Sequence, residues 1–245
     1  METLLSATLI FARISAISIM LPGLSSSFVP IRYRLGISAL LSLTLAPILM
    51  SSIYAPTQET EWYFKILVWE LFIGAFLGFC IRIFIFTLQI TGAIIAQSIS
   101  LSQILGANVS TSAGSSVSNI LTLSGITLLM ISGFLELVLY GVSRSYISFP
   151  AMVTPDASYL YKILTAFLKR AFEISFQLAA PFLLLAIFYN SILAIVNRAM
   201  PQLLVSFIGV PAILLIALPL MEFSFEPLLS QWYKHILDLL NILTL

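Results

Sequence analysis

The sequence predicts an all-α protein of the integral membrane type, and three observations predict it. Of its 245 residues 60% are hydrophobic and 9% charged, and the mean hydropathy is +1.09. A soluble domain carries roughly 25% charged residues. The 53 residues between Arg82 and Glu136 include no Asp, Glu, Lys or Arg, whereas a chain folded in water spreads its charges to keep its surface wet. The apolar residues also fall in runs long enough to cross a bilayer as helices, which takes roughly 20 residues. The same figures exclude other classes. A net charge of +1 gives no electrostatic footing for nucleic acid. A single cysteine, Cys80, excludes an internal disulfide and a cysteine metal cluster. The N-terminus is not a convincing secretory signal: Glu2 stands where a basic region belongs, Arg13 interrupts the apolar stretch, and no small-residue cleavage site follows.

About six long hydrophobic helices follow in order, two of them bent or longer than a bilayer. The first covers about 4–21 and ends at Pro22-Gly23 and a run of serines. The second covers about 35–50, closed by Pro47 and the polar stretch before Glu61. The third, about 62–105, exceeds 40 residues, or roughly 60 Å, about twice a hydrocarbon core. The fourth covers about 117–142 and stops before a loop carrying Pro150 and Pro155. The fifth, about 159–199, is again near 40 residues, with Pro181 as its expected kink. Pro201 separates it from a sixth at about 203–221, and the tail 222–245 reads as a short amphipathic helix for a surface or a partner. The whole is one subunit domain, 1–245. Arg32 and Arg34 place the first loop in the cytoplasm and Glu59 and Glu61 place the second outside. Six crossings then leave both termini outside, with Lys65, Arg144 and Lys162 running against the rule.

Nothing here reads as an enzyme. His235, the sole histidine, sits beside Lys234 in the tail and reads as a solvated surface residue, and Cys80 reads as packing. No HExxH, GxSxG or paired-carboxylate motif occurs, and no cofactor or metal is implied. Intramembrane polar groups carry more information, because each is costly in lipid without a partner. Glu70, Gly74, Gly78 and Arg82 fall at four-residue steps on the third helix. Glycines so spaced let another backbone approach closely. The stripe reads either as a helix seam with Glu70 and Arg82 bonded across it, or as two charges at water-exposed depth. Gln89, Gly92, Ala96 and Gln97 continue a small and polar face. Lys169 and Glu173, four apart, form a candidate pair, and Arg13, Glu136 and Arg198 complete the embedded charges.

The central segment Gly106-Ala107-Asn108-Val109-Ser110-Thr111-Ser112-Ala113-Gly114-Ser115-Ser116 is uncharged and nearly free of bulk. Its backbone groups would lack partners in lipid. It is therefore a linker in water or a segment that enters a protein-walled cavity and closes it.

Several stretches resemble the flagellar biosynthetic protein FliR family: FARISA at Phe11–Ala16, SSSFVPIRYRLGI at Ser25–Ile37, the residues Glu70 to Gln97 named above, and NRAMPQLLVSFIGVP at Asn197–Pro211. The last is the most specific, with Arg198, Pro201 and Gln202 matching the family's Arg-Ala-x-Pro-Gln. LQITGAIIAQ at Leu88–Gln97 is similar to the flagellar branch, whose virulence counterpart is the T component of injectisomes. The chain departs from the pattern where Ser98 or Ser100 replaces a glycine and where an Asp-Pro pair is missing. The resemblance implies a single-copy subunit assembled, within a helical export-gate complex, with several copies of P and Q subunits and an associated B subunit. It implies a place in the bacterial inner membrane and the flagellar basal body, with the core raised toward the periplasm. It also implies that Gly106–Ser116 plugs a channel for unfolded flagellar proteins. A virulence T component is the nearest rival, followed by a small-solute secondary transporter and a membrane scaffold with no conduit.

Overall fold

The computed structural model describes residues 2–23, 29–49, 60–99, 110–151, 155–199 and 205–243. Among them the fold is all-α, with seven helices: α1 Glu2–Met20, α2 Ile31–Leu49, α3 Thr60–Ser98, α4 Ser110–Ile131, α5 Phe134–Ser148, α6 Ala157–Ala199 and α7 Val205–Leu243. Three of these are long and apolar enough to cross a membrane, over Tyr63–Ser98, Ala157–Ala199 and Pro211–Asp238, and α4 with α5 would add a fourth if that bent pair is one span. The protein is of the integral membrane type, and by length and composition the described residues offer three such helices, or four with the bent pair, where about six were expected.

Three boundaries differ from the sequence reading. The expected helix at 117–142 is two helices, α4 and α5, which meet at a bend of 74°. Gly133 makes the break: its φ of 77° is left-handed, which suits a residue without Cβ. The Glu136 N–H donates to its carbonyl, restarting the ladder, and the acidic side chain lies in the first turn where a helix favours it. Glu136 is exposed on the surface of this chain.

Secondly, α4 begins at Ser110, so seven residues of the expected loop are helical. Serine, threonine and alanine cost at most about 0.7 kcal/mol each in a helix and glycine about 1. That is too little to stop a helix already nucleated by the packing of Val117 and Leu121, both buried.

Thirdly, the separate tail does not exist. Helix α7 runs on through 222–243, with Pro211, Pro219 and Pro227 inside it. These prolines are eight residues apart and all exposed, so the interrupted hydrogen bonds fall on the outer side. Glu222 and Glu226 face outward, while Leu228, Leu229, Trp232 and Ile236 are buried in the chain itself. The acidic residues that looked like a boundary lie on the exposed side of one continuous helix.

By packing, the chain divides into two compact units. The first comprises 1–84, 126–168 and 237–245. Its core includes Leu9, Ile10, Ile17, Ile73, Ile83 and Phe134, and Phe84 meets Phe167 with ring centroids 5.5 Å apart. The second comprises 85–125 and 169–236, with Leu88, Ile95, Leu121, Phe182, Ala217 and Trp232 at its centre.

Candidate functional site

Two buried polar clusters organise the described residues, one in each unit. In the first, α1 and α3 run parallel. A Cβ built on Gly74 would collide with the Arg13 carbonyl oxygen and stand 2.9 Å from Ala16 Cβ. On Gly78 it would stand 2.8 Å from Met20 Cβ and 3.2 Å from Ile17 Cα. The two glycines therefore admit the α1 backbone at a distance no other residue permits.

That approach delivers Arg13 to Glu70. Arg13 Nε donates to Glu70 Oε2 at 2.6 Å and Nη2 to Oε1 at 3.0 Å, a bidentate pair. Nη1 donates to Ser145 Oγ at 3.0 Å, and Nη2 also donates to the Phe149 carbonyl at 2.9 Å. The guanidinium carbon lies 3.7 Å from the Tyr146 ring centroid, a cation–π contact. Both charged side chains are 0% exposed. The pair joins three helices: α1 supplies Arg13, α3 supplies Glu70, and the C-terminal end of α5 supplies the rest. Four of the five guanidinium N–H groups are bonded, which is how an ion pair survives where water is absent.

At Glu70 the stripe is a helix seam, with the carboxylate bonded across it to Arg13 of α1. Glu70 is saturated by Arg13, and Arg82 is half-buried about 18 Å further along α3. Sequence reasoning had Arg13 among the embedded charges but did not match it. The available signal was that Arg13 and Glu70 are lone, opposite charges, each inside an apolar run.

In the second unit the cluster is built of hydroxyls. Trp232 Nε1 donates to Thr87 Oγ1 at 2.7 Å. Ser175 Oγ donates to the Thr87 carbonyl at 3.1 Å, and Thr91 Oγ1 donates to the same carbonyl at 2.7 Å. Thr87, Thr91, Ser175 and Trp232 are each 0% exposed. Gly125 makes room, since a Cβ there would meet Trp232 Cη2 at 3.0 Å and run into Leu88. None of these four was singled out from the sequence, because Ser and Thr inside apolar helices carry no charge to draw attention.

Gly92 performs the close approach nearest the central segment. A Cβ on it would stand 2.5 Å from Ser118 Cα, and Ser118 Oγ donates to the Gln89 carbonyl at 3.0 Å. The start of α4 is thus held against α3 two residues beyond Ser116. Of the segment, Gly106, Ala107, Asn108 and Val109 lie outside the described residues, as do Pro201 and Gln202. Ser110 to Ser116, including Ala113 and Gly114, form the first two turns of α4, and Ser116 is exposed.

Gln89, Gln97 and Arg198, read as buried polar positions, are exposed on this chain. The two glutamines share with Ala93 the outer side of α3, while Thr87, Thr91 and Ile95 take the inner one. Glu173 pairs loosely, with Arg170 at 3.4 Å and Lys169 at 4.0 Å. His235 is half-buried rather than fully solvated, its Nδ1 3.3 Å from Arg170 Nη2. Among the described residues no three His, Cys, Asp or Glu side chains are grouped to hold a metal ion.

These features define an all-helical membrane protein whose buried charges Arg13 and Glu70 pair within the chain and whose described residues group no metal-type cluster. Its family follows from comparison: the chain belongs to the bacterial export proteins, family 1, whose model matches residues 4–239. It is 28% identical over 242 residues to the flagellar biosynthetic protein FliR of Caulobacter vibrioides, covering 97% of this chain and 95% of that one. It is 26% identical over 244 residues to the protein of the same name from Aquifex aeolicus, covering 95% and 93%.

Proposed function

We propose that this chain is a wall and gate subunit of the flagellar type III protein export channel. The observation that carries the reading is the family match from residue 4 to residue 239: it takes in both buried polar clusters and the central segment. The chain is a membrane-embedded component of flagellar protein export. The flagellar branch is preferred to the virulence one because both relatives bear a flagellar name. Within that role the chain acts as one subunit, with P and Q subunits in several copies and a B subunit as its neighbours. It resides in the bacterial inner membrane at the flagellar basal body, with its core raised toward the periplasm.

In this reading Gly106–Ser116 stoppers the conduit and unfolded flagellar proteins pass when it moves. A plug of small uncharged residues excludes water when packed yet holds few strong interactions, so it is displaced without breaking ion pairs. The contact of Gly92 with Ser118 supports the reading, because it fixes one end of the segment to α3. Glu70, Gly74, Gly78 and Gly92 serve as seam residues inside the wall; Arg82, Gln89, Gln97, Arg198, Pro201 and Gln202 serve at seams with other subunits.

Deletion of 106–116 tests the gate. The shortened chain still co-purifies with its neighbours, and cells making it leak ions and small solutes, read with a membrane-potential dye. A tight membrane around a fully assembled gate refutes the plug.

A further inference from the structure

Helix α2 is turned the wrong way round for water. Its buried residues are Ser38, Ser42, Ala46 and Leu49, and the Ser38 and Ser18 hydroxyls meet at 2.8 Å where it packs on α1. Its large apolar side chains point outward, with Tyr33, Leu40, Leu43 and Ile48 each 63–68% exposed. A helix on a water-soluble protein does the reverse. Small and hydroxyl-bearing residues at the helix contact, with bulky apolar ones outside, is how helices pack in lipid.

Three further observations say what covers this face. Thr44 is exposed, and its hydroxyl donates to the Leu41 carbonyl of its own helix at 2.9 Å, so it needs no outside partner. Ile31 to Ile48 rise about 26 Å, close to the thickness of a hydrocarbon core. The charges of α2 are Arg32 and Arg34 alone, both at one end, with no acidic residue in the helix. Arg34 Nε is turned onto the Val29 carbonyl at 3.0 Å, while Arg32 is exposed.

We propose that the outer face of α2 lies along lipid acyl chains and that Arg32 binds the headgroups of anionic phospholipid at its N-terminal end. Nothing in this depends on the gate. In a complex whose core is raised out of the bilayer, α2 is an element that keeps the chain seated in it.

The test uses the full chain in its assembled complex, in nanodiscs of phosphatidylglycerol and phosphatidylcholine. Spin labels on Leu40→Cys, Leu43→Cys and Ile48→Cys are to be read for access to oxygen and to a water-soluble nickel chelate. Cys80 is 0% exposed and stays unlabelled. High oxygen and low nickel access at all three supports the proposal, with Ser42→Cys closed to both. Nickel access means water, and closure to both reagents at all three means a protein partner; either overturns it. Arg32→Gln then lowers the phosphatidylglycerol retained relative to phosphatidylcholine, read by native mass spectrometry, by about fivefold, the effect of one arginine at an anionic surface. An unchanged ratio, with the label pattern intact, overturns the headgroup assignment.

Discussion

Replacing Arg13 by methionine removes one half of the Arg13–Glu70 pair and nothing else of comparable importance. The Glu70 carboxylate, 0% exposed, then loses donors at 2.6 and 3.0 Å and has no water to replace them. Stranding a buried charge costs about 3–5 kcal/mol. The Phe149 carbonyl, which accepts at 2.9 Å, loses a charged donor as well. Replacing both residues, Arg13→Met with Glu70→Leu, removes the stranded charge, and such swaps are often neutral. The double variant is therefore expected to regain most of what the single one loses. Cys80, the sole cysteine and 0% exposed, gives the assay: its labelling by a thiol dye reports unfolding as the mole fraction of a denaturing detergent is raised. The same cycle run on Glu70 with Arg82 should be additive, because roughly 18 Å of helix separates them. A cost below about 1 kcal/mol for Arg13→Met, or a double variant no better than the single, refutes the reasoning.

Two other outcomes follow from the close contacts. Gly74→Leu forces the α1 backbone away at Arg13 and should cost about 1–3 kcal/mol by overpacking, despite the better helix propensity of leucine; the same detergent titration checks it, and an unchanged midpoint would deny the seam. Trp232→Phe keeps the ring but removes the 2.7 Å bond to Thr87, for a loss of about 0.5–1.5 kcal/mol, while Trp232→Ala should cost about 3–5 kcal/mol; near-equal losses would show that the hydrogen bond, not the buried ring, carries the residue.

Much of this fold was legible in the sequence because the relevant signals are local. The lengths of α3 and α6, the Gly74 and Gly78 close approach and the isolation of embedded charges can each be read from one run of residues. Failures came where distant residues decide. Glu70 was expected to bond across the seam, but the sequence named no partner for it, and that partner is Arg13, 57 residues earlier. Helix α7 was cut at Glu222 because charge looked like a boundary, while Trp232 and Ile236, further on, bury the continuation. The bend at Gly133 had a signal in Ser132-Gly133, which an otherwise unbroken apolar run obscured. The first turns of α4 looked like a loop because small residues have weak preferences of their own, and the packing of Val117 and Leu121 settles the matter instead.

The distribution of polar groups bears on why such a chain needs company. Outward hydroxyls at Thr44, Ser143, Thr165 and Ser191 all donate to carbonyls of their own helices, so they ask nothing of what surrounds them. Other groups are bonded between helices in the interior, as Arg13 with Glu70 and Trp232 with Thr87 are. Helix α3, the one both clusters share, is mostly buried along its apolar stretch, whereas the apolar stretches of α6 and α7 are mostly uncovered. Those two helices carry exposed Phe176, Phe188, Ile195, Leu215 and Phe223, which in water would drive aggregation. The chain thus pairs its buried charges alone but does not complete its apolar burial. Lipid and neighbouring helices supply the second without competing for the first, and a subunit of that kind can join an assembly without opening its own core.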